Sequence, residues 1–194
     1  MSGDIKMKLT LIRHGQTDVN LQKKVQGWTN HPLNETGIKQ ALRIRSFYEM
    51  VHKRFDVVIS SPLKRAYDTA KYALGYKKDL DILIDYHFIE RDFGVFEDRN
   101  VDEVMPIILE KNFTYKGYED DKMLLKRIEN GLISLYEKYE NKDVVIFCHS
   151  HVIKSFLILS DKKYNFKTLL DNASIHTLSY DGNRLKVLEF NRTV

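Results

Sequence analysis

An arginine and a histidine follow directly on a stretch that is typical of a buried strand. In LTLIRHGQTDVN, residues 9–20, apolar and β-branched side chains precede Arg13, His14 and Gly15. A guanidinium group matches the oxygens of a phosphoryl group, and a neutral imidazole nitrogen can attack phosphorus. Gly15 is expected to let the backbone approach such an anion closely. The pattern therefore indicates an anion site in which His14 is the candidate nucleophile.

Two further strand-like stretches end in groups of the same chemistry. The stretch 55–60 leads into SSPLKRA, which places Arg65 near the start of a helix, and the apolar run 143–148 leads into His149. Ligand sites of open sheets lie beyond the carboxyl ends of the strands, so these groups are expected to meet in one crevice. Arginines there would neutralise charge on the phosphoryl oxygens, and His149 would be a charged donor to the same oxygens.

The leaving alkoxide of such a reaction needs a general acid. A carboxyl group that burial keeps protonated would serve, and FIERDFGVFED (88–98) offers Glu90 after a short apolar run. Asp92, Glu97 and Asp98 stand nearby, and a run of charges is more often a solvated face. Glu90 is the best candidate by its position in this segment.

Strand-like and helix-like segments alternate along the chain, which is typical of a parallel sheet covered on both faces. We expect an α/β fold, a three-layer sandwich whose central sheet is mostly parallel. Asn34 is the expected cap of the first long helix, and Pro62 suits the first turn of the next. The expected strands lie at 8–12, 55–60, 81–84 and 143–148, the helices at 34–54, 63–74, 101–111, 120–140 and 151–160, and a closing hairpin around Asp181-Gly182 at 174–190.

Length and composition limit the class of protein. A chain of 194 residues, 43% hydrophobic, suits one compact domain, and its formal charge of +4 is too scattered to indicate a nucleic-acid partner. No run approaches the roughly 18 apolar residues that span a bilayer, so no membrane partner is expected. The single cysteine, Cys148, cannot form an internal disulfide, and the first residues lack the features of a signal peptide. These features predict a soluble cytoplasmic protein, monomeric or homodimeric.

The chain resembles the histidine phosphatase superfamily, also called the phosphoglycerate-mutase-like family, over nearly its whole length. Four separated motifs carry the resemblance in the right order: LIRHGQTDVN, SSPLKRAYDTA, IERDFGVFED and VVIFCHSHVIKSF. This order is far more specific than the RHG triplet alone. The resemblance implies a metal-independent phosphatase that needs no cofactor. Such an enzyme hydrolyses small phosphomonoesters through a phosphohistidine intermediate.

The resemblance also assigns roles to individual residues. It makes His14 the residue that is phosphorylated, Arg13 and Arg65 the phosphate arginines, His149 the second histidine and Glu90 the proton donor. It implies one domain over residues 1–194, with a cap-like insertion at about 91–122. The further substrate contacts that it implies are Gly15, Gln16, Thr17, Asn20, Gln26, Gly27 and Ser150.

Three positions depart from the family pattern. Ser150 stands where a glycine usually follows the second histidine, and its side chain either crowds the phosphate edge or adds a hydroxyl donor. Asp98 replaces the glycine of a WEG-like triplet near the pocket mouth. Asp120 replaces the serine of a GES-like turn, where it is expected to keep the helix cap.

Two alternative functions belong to the same family. A phosphoglycerate mutase is usually longer and holds the substrate carboxylate with extra basic residues, including an arginine pair. Residues 99–122 contain no such pair. They contain several apolar and aromatic side chains, which favour a partly apolar or varied phosphomonoester as substrate. Alternatively, these side chains simply cover the core. The other alternative binds phosphorylated ligands without turnover, which would require the loss of a catalytic group.

Two other chemistries would use residues around His149. His149 and His151 form an H-x-H pair, but no third ligand has convincing spacing, so we expect no metal. Cys148 is a possible thiol nucleophile, yet a free cysteine that ends an apolar strand behaves as a small buried hydrophobe. The remaining histidines are expected to be structural or exposed: His31, His52, His87 and His176.

Overall fold

A mixed sheet of six strands forms the centre of the protein, for which a computed structural model describes residues 7–75 and 81–194. The strands are β1 (Met7–Arg13), β2 (Val57–Ser60), β3 (Ile82–Ile84), β4 (Asp143–Cys148), β5 (Ile175–Tyr180) and β6 (Leu185–Arg192). Their order is β3-β2-β4-β1-β5-β6. The first four of these are parallel, whereas β5 pairs antiparallel with both β1 and β6. The predicted mostly parallel sheet and closing hairpin are confirmed.

Helices cover both faces of this sheet. They are α1 (Asp18–Leu21), α2 (Glu35–Met50), α3 (Lys64–Leu74), α4 (Val101–Ile108), α5 (Asp121–Tyr139) and α6 (Ser150–Ser160), with short 3₁₀ turns at Tyr86–Phe88 and Gly94–Phe96. Alternate residues of β1 explain the layers. Leu9 and Leu11 pack with side chains of α5 and α6, whereas Ile12 packs with side chains of α2 and α3. The predicted three-layer sandwich is confirmed.

Capping residues explain where the first long helices begin. Asn34 caps α2, because its side chain accepts a hydrogen bond from the N–H of Gly37 at 2.9 Å, as predicted. The helix α3 begins two residues later than Pro62, so the prediction for that proline is wrong. Its first N–H, that of Lys64, donates instead to the side chain of Asn30 at 2.7 Å. This cap comes from a distant loop, which the local sequence does not indicate.

The segment between β3 and α5 forms a small apolar cluster together with Val25. Phe93, Phe96, Val104, Ile108 and Tyr118 are buried there against one another. Most aromatic side chains of this segment therefore contact each other, which supports the view that they cover the core. Across residues 7–75 and 81–194, no helix has both the length and the apolar character needed to cross a membrane.

Candidate active site

The strand order brings the two key histidines side by side. Arg13 and Cys148 are register partners at the carboxyl ends of the neighbouring parallel strands β1 and β4, and each is followed by a histidine. The ring centroids of His14 and His149 lie 5.2 Å apart. Arg65 enters from α3, which follows the next parallel strand, β2. The structure thus brings together the residues that the sequence placed at separate strand ends.

A single hydrogen bond fixes the form of the His14 ring. Its Nδ1 lies 2.7 Å from the carbonyl oxygen of Gly15, and a carbonyl can only accept, so Nδ1 carries the proton. The other nitrogen, Nε2, is left with its lone pair. Burial, then the positive charges of Arg65 and Arg13, hold the pKa of His14 well below its ordinary value. The ring is therefore a neutral nucleophile with a defined attacking atom.

Two arginines flank this ring, of which Arg65 is fully buried and Arg13 partly buried. Arg65 donates to the carbonyl oxygens of Gly27 at 2.7 Å and Thr29 at 3.0 Å, and Arg13 donates to that of Leu170 at 2.5 Å. The Nε atoms of both have no hydrogen-bond partner among the described residues. Burial lowers the pKa of Arg65 to about 10, so it stays charged at neutral pH. The two groups can hold a phosphoryl dianion.

His149 is held by a neighbouring serine. Its Nε2 lies 2.7 Å from the hydroxyl of Ser61, and its buried Nδ1 has no partner within residues 7–75 and 81–194. Burial, then the charges of Arg65 and His14, lower the pKa of His149 well below its ordinary value. We expected a charged donor, but in the free protein this ring is neutral. If the Ser61 hydroxyl donates to Nε2, the remaining proton sits on Nδ1 and can be donated to a ligand.

Glu90 is almost fully buried beside this group. One oxygen of its carboxyl accepts from the N–H of Arg91 at 2.9 Å and the other from that of His151 at 3.4 Å. Burial raises the pKa of Glu90 above its ordinary value, against the opposing effects of those hydrogen bonds and the arginines Arg65 and Arg13. The group is thus shifted towards the protonated form that a general acid requires.

The neighbouring carboxylates have other partners. Asp92 accepts from the N–H of Gly94, Glu97 accepts from backbone groups of the loop 27–29, and Asp98 lies 3.6 Å from His31. Asp98 also has a φ of 61°, a left-handed conformation that glycine adopts most easily. This conformation explains why the family pattern has a glycine where this chain has Asp98.

Three of the expected substrate contacts build the loop that follows β1. The N–H of Gly15 donates to the hydroxyl of Thr69 at 3.1 Å, and a Cβ at Gly15 would lie 2.4 Å from the carbonyl oxygen of Gly37. Gly15 therefore permits close packing on α2. We expected its backbone to approach an anion, but its N–H is already bonded to Thr69. Gln16 is tied to α2 by hydrogen bonds to Gln40 and Asn34, and Thr17 is the buried cap of α1.

The side-chain amides of Asn20, Gln26 and Asn172 form hydrogen bonds next to this loop. The side-chain oxygen of Asn20 accepts from the N–H of Thr17 and from Asn172, both at 3.2 Å. The Gln26 oxygen accepts from Thr17 at 3.1 Å, while its buried nitrogen has no partner among the described residues. Gln26 is therefore an expected substrate contact whose side-chain N–H groups can donate to a ligand. Asn172, which also lies 3.4 Å from the carbonyl oxygen of His14, was missed because it belongs to none of the motifs.

The last two expected contacts are Gly27 and Ser150. A Cβ at Gly27 would lie 2.9 Å from the backbone carbonyl oxygen of Arg91, so glycine suits that close approach. Ser150 is the first residue of α6, directly after His149, and it is half-buried. At the start of α5, Asp120 accepts from the N–H of Met123 at 2.9 Å, which confirms the predicted cap.

The alternative chemistries find little support in these side chains. Cys148 is fully buried, and burial raises the pKa of its thiol, so it is the small hydrophobe that its strand position indicated. Within the described ranges, no group of three or more His, Cys, Asp or Glu side chains is arranged to hold a metal ion.

The arrangement defines an α/β protein in which two histidines and two arginines meet at the carboxyl edge of the sheet. The pattern of the histidine phosphatase superfamily (branch 1) matches residues 9–193 of the chain. The chain belongs to this superfamily, as its motifs indicated.

Relatives and solved structures agree with this assignment. The chain is 32% identical to the Uncharacterized phosphatase PhoE of Bacillus subtilis over 183 residues, which covers 93% of this chain and 92% of the relative. It is 28% identical to Phosphoserine phosphatase 1 of Hydrogenobacter thermophilus, covering 96% and 93%. The crystal structure of phosphoserine phosphatase from Entamoeba histolytica in complex with 3-phosphoglyceric acid superposes with a TM-score of 0.79 at 29% identity, covering 96% and 98%. The predicted enzyme class, a phosphatase, is confirmed.

Proposed function

We propose that the chain hydrolyses phosphomonoesters through a phosphohistidine at His14. The observation that carries this proposal is the ring of His14, which the Gly15 carbonyl holds in one tautomer and which stays neutral between Arg13 and Arg65. In the first step, Nε2 forms a bond to phosphorus while the bond from phosphorus to the ester oxygen breaks. Arg13, Arg65 and an N–H of His149 stabilise the charge on the phosphoryl oxygens.

Glu90 is the acid of this first step and the base of the second. Its carboxyl gives a proton to the departing ester oxygen, so the product leaves as an alcohol. The carboxylate then takes a proton from a water molecule, whose oxygen attacks phosphorus and breaks the bond to Nε2. Inorganic phosphate leaves, His14 is regenerated and Glu90 is protonated again. The two arginines supply the positive charge in both steps and the neutral His149 donates a hydrogen bond, so we propose that the reaction needs no metal.

All five groups of this mechanism are present around one point, and all except the partly buried Arg13 are buried, which supports turnover over binding alone. Among the expected contacts we propose that Gln26 donates to the phosphoryl group through its unpaired amide, and that Ser150 lies at its edge. Gly15, Gln16, Thr17, Asn20 and Gly27 hold the surrounding loop. Relatives named phosphoserine phosphatase support a small phosphorylated metabolite as substrate.

We further propose one catalytic domain with a cap-like insertion at about 91–122, which the small apolar cluster that this segment forms with Val25 supports. A cytoplasmic location and a monomeric or homodimeric state remain predictions from the sequence.

Trapping the covalent intermediate tests the proposed function. Protein that is mixed with a ³²P-labelled phosphomonoester and quenched should hold label that is stable to alkali and labile to acid. The variant His14→Ala should hold none, whereas the control Cys148→Ser should be labelled like the unaltered protein. Label that persists in His14→Ala would contradict the assignment of the nucleophile.

A further inference from the structure

The backbone around Glu90 belongs to no helix or strand. Glu90 lies between the 3₁₀ turns Tyr86–Phe88 and Gly94–Phe96. A general acid must lie within hydrogen-bond reach of the leaving oxygen, so its main chain has to be held by other groups. Within residues 7–75 and 81–194, two side chains donate to the Glu90 carbonyl oxygen: Nε1 of Trp28 at 2.8 Å and Nη2 of Arg127 at 3.3 Å. The position of the acid therefore depends on side chains from remote parts of the chain.

Arg127 makes five hydrogen bonds in this region, as many as it has N–H groups. Nη1 donates to the carbonyl oxygens of His87 at 2.7 Å and Ile89 at 2.8 Å, and Nη2 donates to that of Glu90. Nε and Nη2 each donate to one carboxylate oxygen of Glu119 at 2.7 Å. The rigid guanidinium plane thus fixes three main-chain carbonyls relative to one carboxylate.

Glu119 also holds the chain that follows Glu90. Its backbone N–H donates to the carbonyl oxygen of Asp92 at 2.8 Å, and its carboxylate accepts from the N–H of Asp92 at 3.3 Å. Arg127 itself is carried by α5, where the adjacent Ile128 is fully buried in the core. The pair of Arg127 and Glu119 therefore binds the main chain on both sides of Glu90 and connects it to a helix that packs on the sheet.

This ion pair lies largely out of water. The side chains of Arg127 and Glu119 are 19% and 11% exposed. Removing two charges from water is costly unless their hydrogen bonds are complete, and the guanidinium of Arg127 meets that condition. Because every N–H of Arg127 is already bonded to the protein, none is left to bind a phosphoryl group. Any effect of Arg127 on the reaction must pass through the segment that it holds.

We infer that Arg127, oriented by Glu119, is a positioning residue that holds the carboxyl of Glu90 at the leaving oxygen. This inference rests on the proposed function, because it requires Glu90 to be the acid. A displacement of a reacting group by about 1 Å can cost roughly 10²-fold in rate. Loss of the Arg127 hydrogen bonds should therefore slow the reaction where the leaving group needs a proton.

Two esters of nearly equal size test this role. 4-Nitrobenzyl phosphate releases an alkoxide that needs a proton, whereas p-nitrophenyl phosphate releases nitrophenolate, which does not. The measured quantity is the ratio of kcat/KM for the nitrobenzyl ester to kcat/KM for the nitrophenyl ester. Each kcat/KM covers the steps up to release of the alcohol or phenol, and the ratio does not depend on the fraction of active protein.

Variants of the pair should lower this ratio. Arg127→Lys keeps the charge but has three N–H donors on one nitrogen, so it cannot bind the carbonyls and both oxygens of Glu119 together; the ratio should fall roughly tenfold or more. Glu119→Gln leaves one acceptor oxygen and should change the ratio in the same direction. The matched control is Arg192→Lys, the same substitution in an exposed ion pair with Glu189, which should leave the ratio unchanged.

A double variant shows whether Arg127 acts through Glu90. In protein that already carries Glu90→Gln, Arg127→Lys should not lower the ratio further, because no acid is left to position. A purely structural role of Arg127 would instead lower kcat/KM for both esters alike and leave the ratio unchanged. A further fall of the ratio in the double variant would also contradict the inference.

The outcomes separate this inference from the proposed function. Turnover of p-nitrophenyl phosphate by the unaltered protein tests phosphatase activity alone. If that turnover is present and Glu90→Gln lowers the ratio while Arg127→Lys does not, the positioning role is refuted and the proposed function stands. Absence of turnover of both esters would overturn the proposed function together with the inference that rests on it.

Discussion

Burial acts on two side chains of the site in opposite directions and prepares both for the same reaction. Removal from water disfavours charge, so it lowers the pKa of His14 and raises that of Glu90. The nucleophile therefore keeps its lone pair while the acid keeps its proton. Arg13 and Arg65 reinforce the first effect and weaken the second. A phosphoryl dianion bound between these arginines would offset their pull on the Glu90 proton.

Replacement of the proposed acid should affect substrates according to their leaving groups. Glu90→Gln should slow hydrolysis of an alkyl phosphomonoester by roughly 10²-fold to 10⁴-fold, the usual contribution of general acid–base catalysis. p-Nitrophenyl phosphate should lose much less in its first step, because nitrophenolate leaves without a proton. Burst-phase rates of nitrophenol and alcohol release, before the second step that both esters share, provide the measurement. Asp92→Asn is the matched control, since its amide oxygen can still accept from Gly94; equal losses on both esters would reassign the acid.

The pH dependence of the alkyl ester follows from the same two groups. Turnover should fall at high pH as Glu90 ionises above its raised pKa, and at low pH as His14 becomes protonated below its lowered pKa. The acid limb should therefore lie below pH 6.5, the ordinary range of histidine. Profiles of kcat/KM for an alkyl and an aryl ester measure this, and only the alkyl ester should show the full alkaline limb. A limb of equal depth for both esters would contradict the role of Glu90.

At the level of elements, a short loop connects three parts of the site. The carbonyl oxygens of Gly27 and Thr29 hold the guanidinium of Arg65. The N–H groups of Trp28 and Thr29 donate to the carboxylate of Glu97 at 2.7 Å and 2.9 Å, and the Thr29 hydroxyl binds it as well. Glu97 is therefore a positioning residue that orients Arg65 through this loop.

Loss of this carboxylate should weaken every substrate alike. Glu97→Gln turns one acceptor oxygen into an amide donor that faces the donors of Thr29, so kcat/KM should fall roughly tenfold for both alkyl and aryl esters. The equal loss distinguishes a positioning role from that of Glu90. Glu103→Gln, on the exposed face of α4, is the control and should change neither rate. A loss confined to alkyl esters would show that Glu97 takes part in proton transfer instead.

The whole molecule holds several histidines in neutral form. Burial is the largest cause of a lowered pKa at His14, His149, His151 and His176, the last to about 4. Below about pH 6.5 the unfolded chain protonates these rings while the folded protein does not, so acid removes stability. Glu90 contributes to the pH dependence of stability in the opposite direction, because its raised pKa favours the folded state at low pH. The four histidines together outweigh this single carboxyl group.

His176 allows a single contribution to be measured. Its Nδ1 accepts from the N–H of Asn191 at 3.2 Å, so a neutral ring is required. In the unaltered protein the free energy of unfolding should fall as pH decreases from 6.5 towards 4, with about 1.4 kcal/mol per pH unit from this residue. His176→Asn should reduce that slope by about this amount, whereas His52→Asn, at an exposed position, should not. Denaturant titrations at several pH values measure the slopes, and identical slopes in all three proteins would contradict the assignment.

The sequence by itself determined the elements and the reacting groups of this protein. Apolar periodicity is local, so it located most helices and strands to within a few residues, and the alternation of those elements predicted a layered, mostly parallel sheet. The motif residues His14 and His149 follow strands and Arg65 begins a helix, whereas Glu90 lies in a loop after a short 3₁₀ turn. Because parallel strands present their carboxyl ends at one edge, their approximate convergence could also be predicted.

Only the tertiary structure decided the chemical state of these groups. The tautomer of His14 depends on the direction of the Gly15 carbonyl, and the neutrality of His149 depends on burial between layers. Gly15 proved to serve close packing on α2, and the helix cap from Asn30 lies 34 residues from Lys64. Hydrogen bonds and desolvation depend on distances between segments that are remote along the chain. A sequence pattern records which residues are present, but it does not contain those distances.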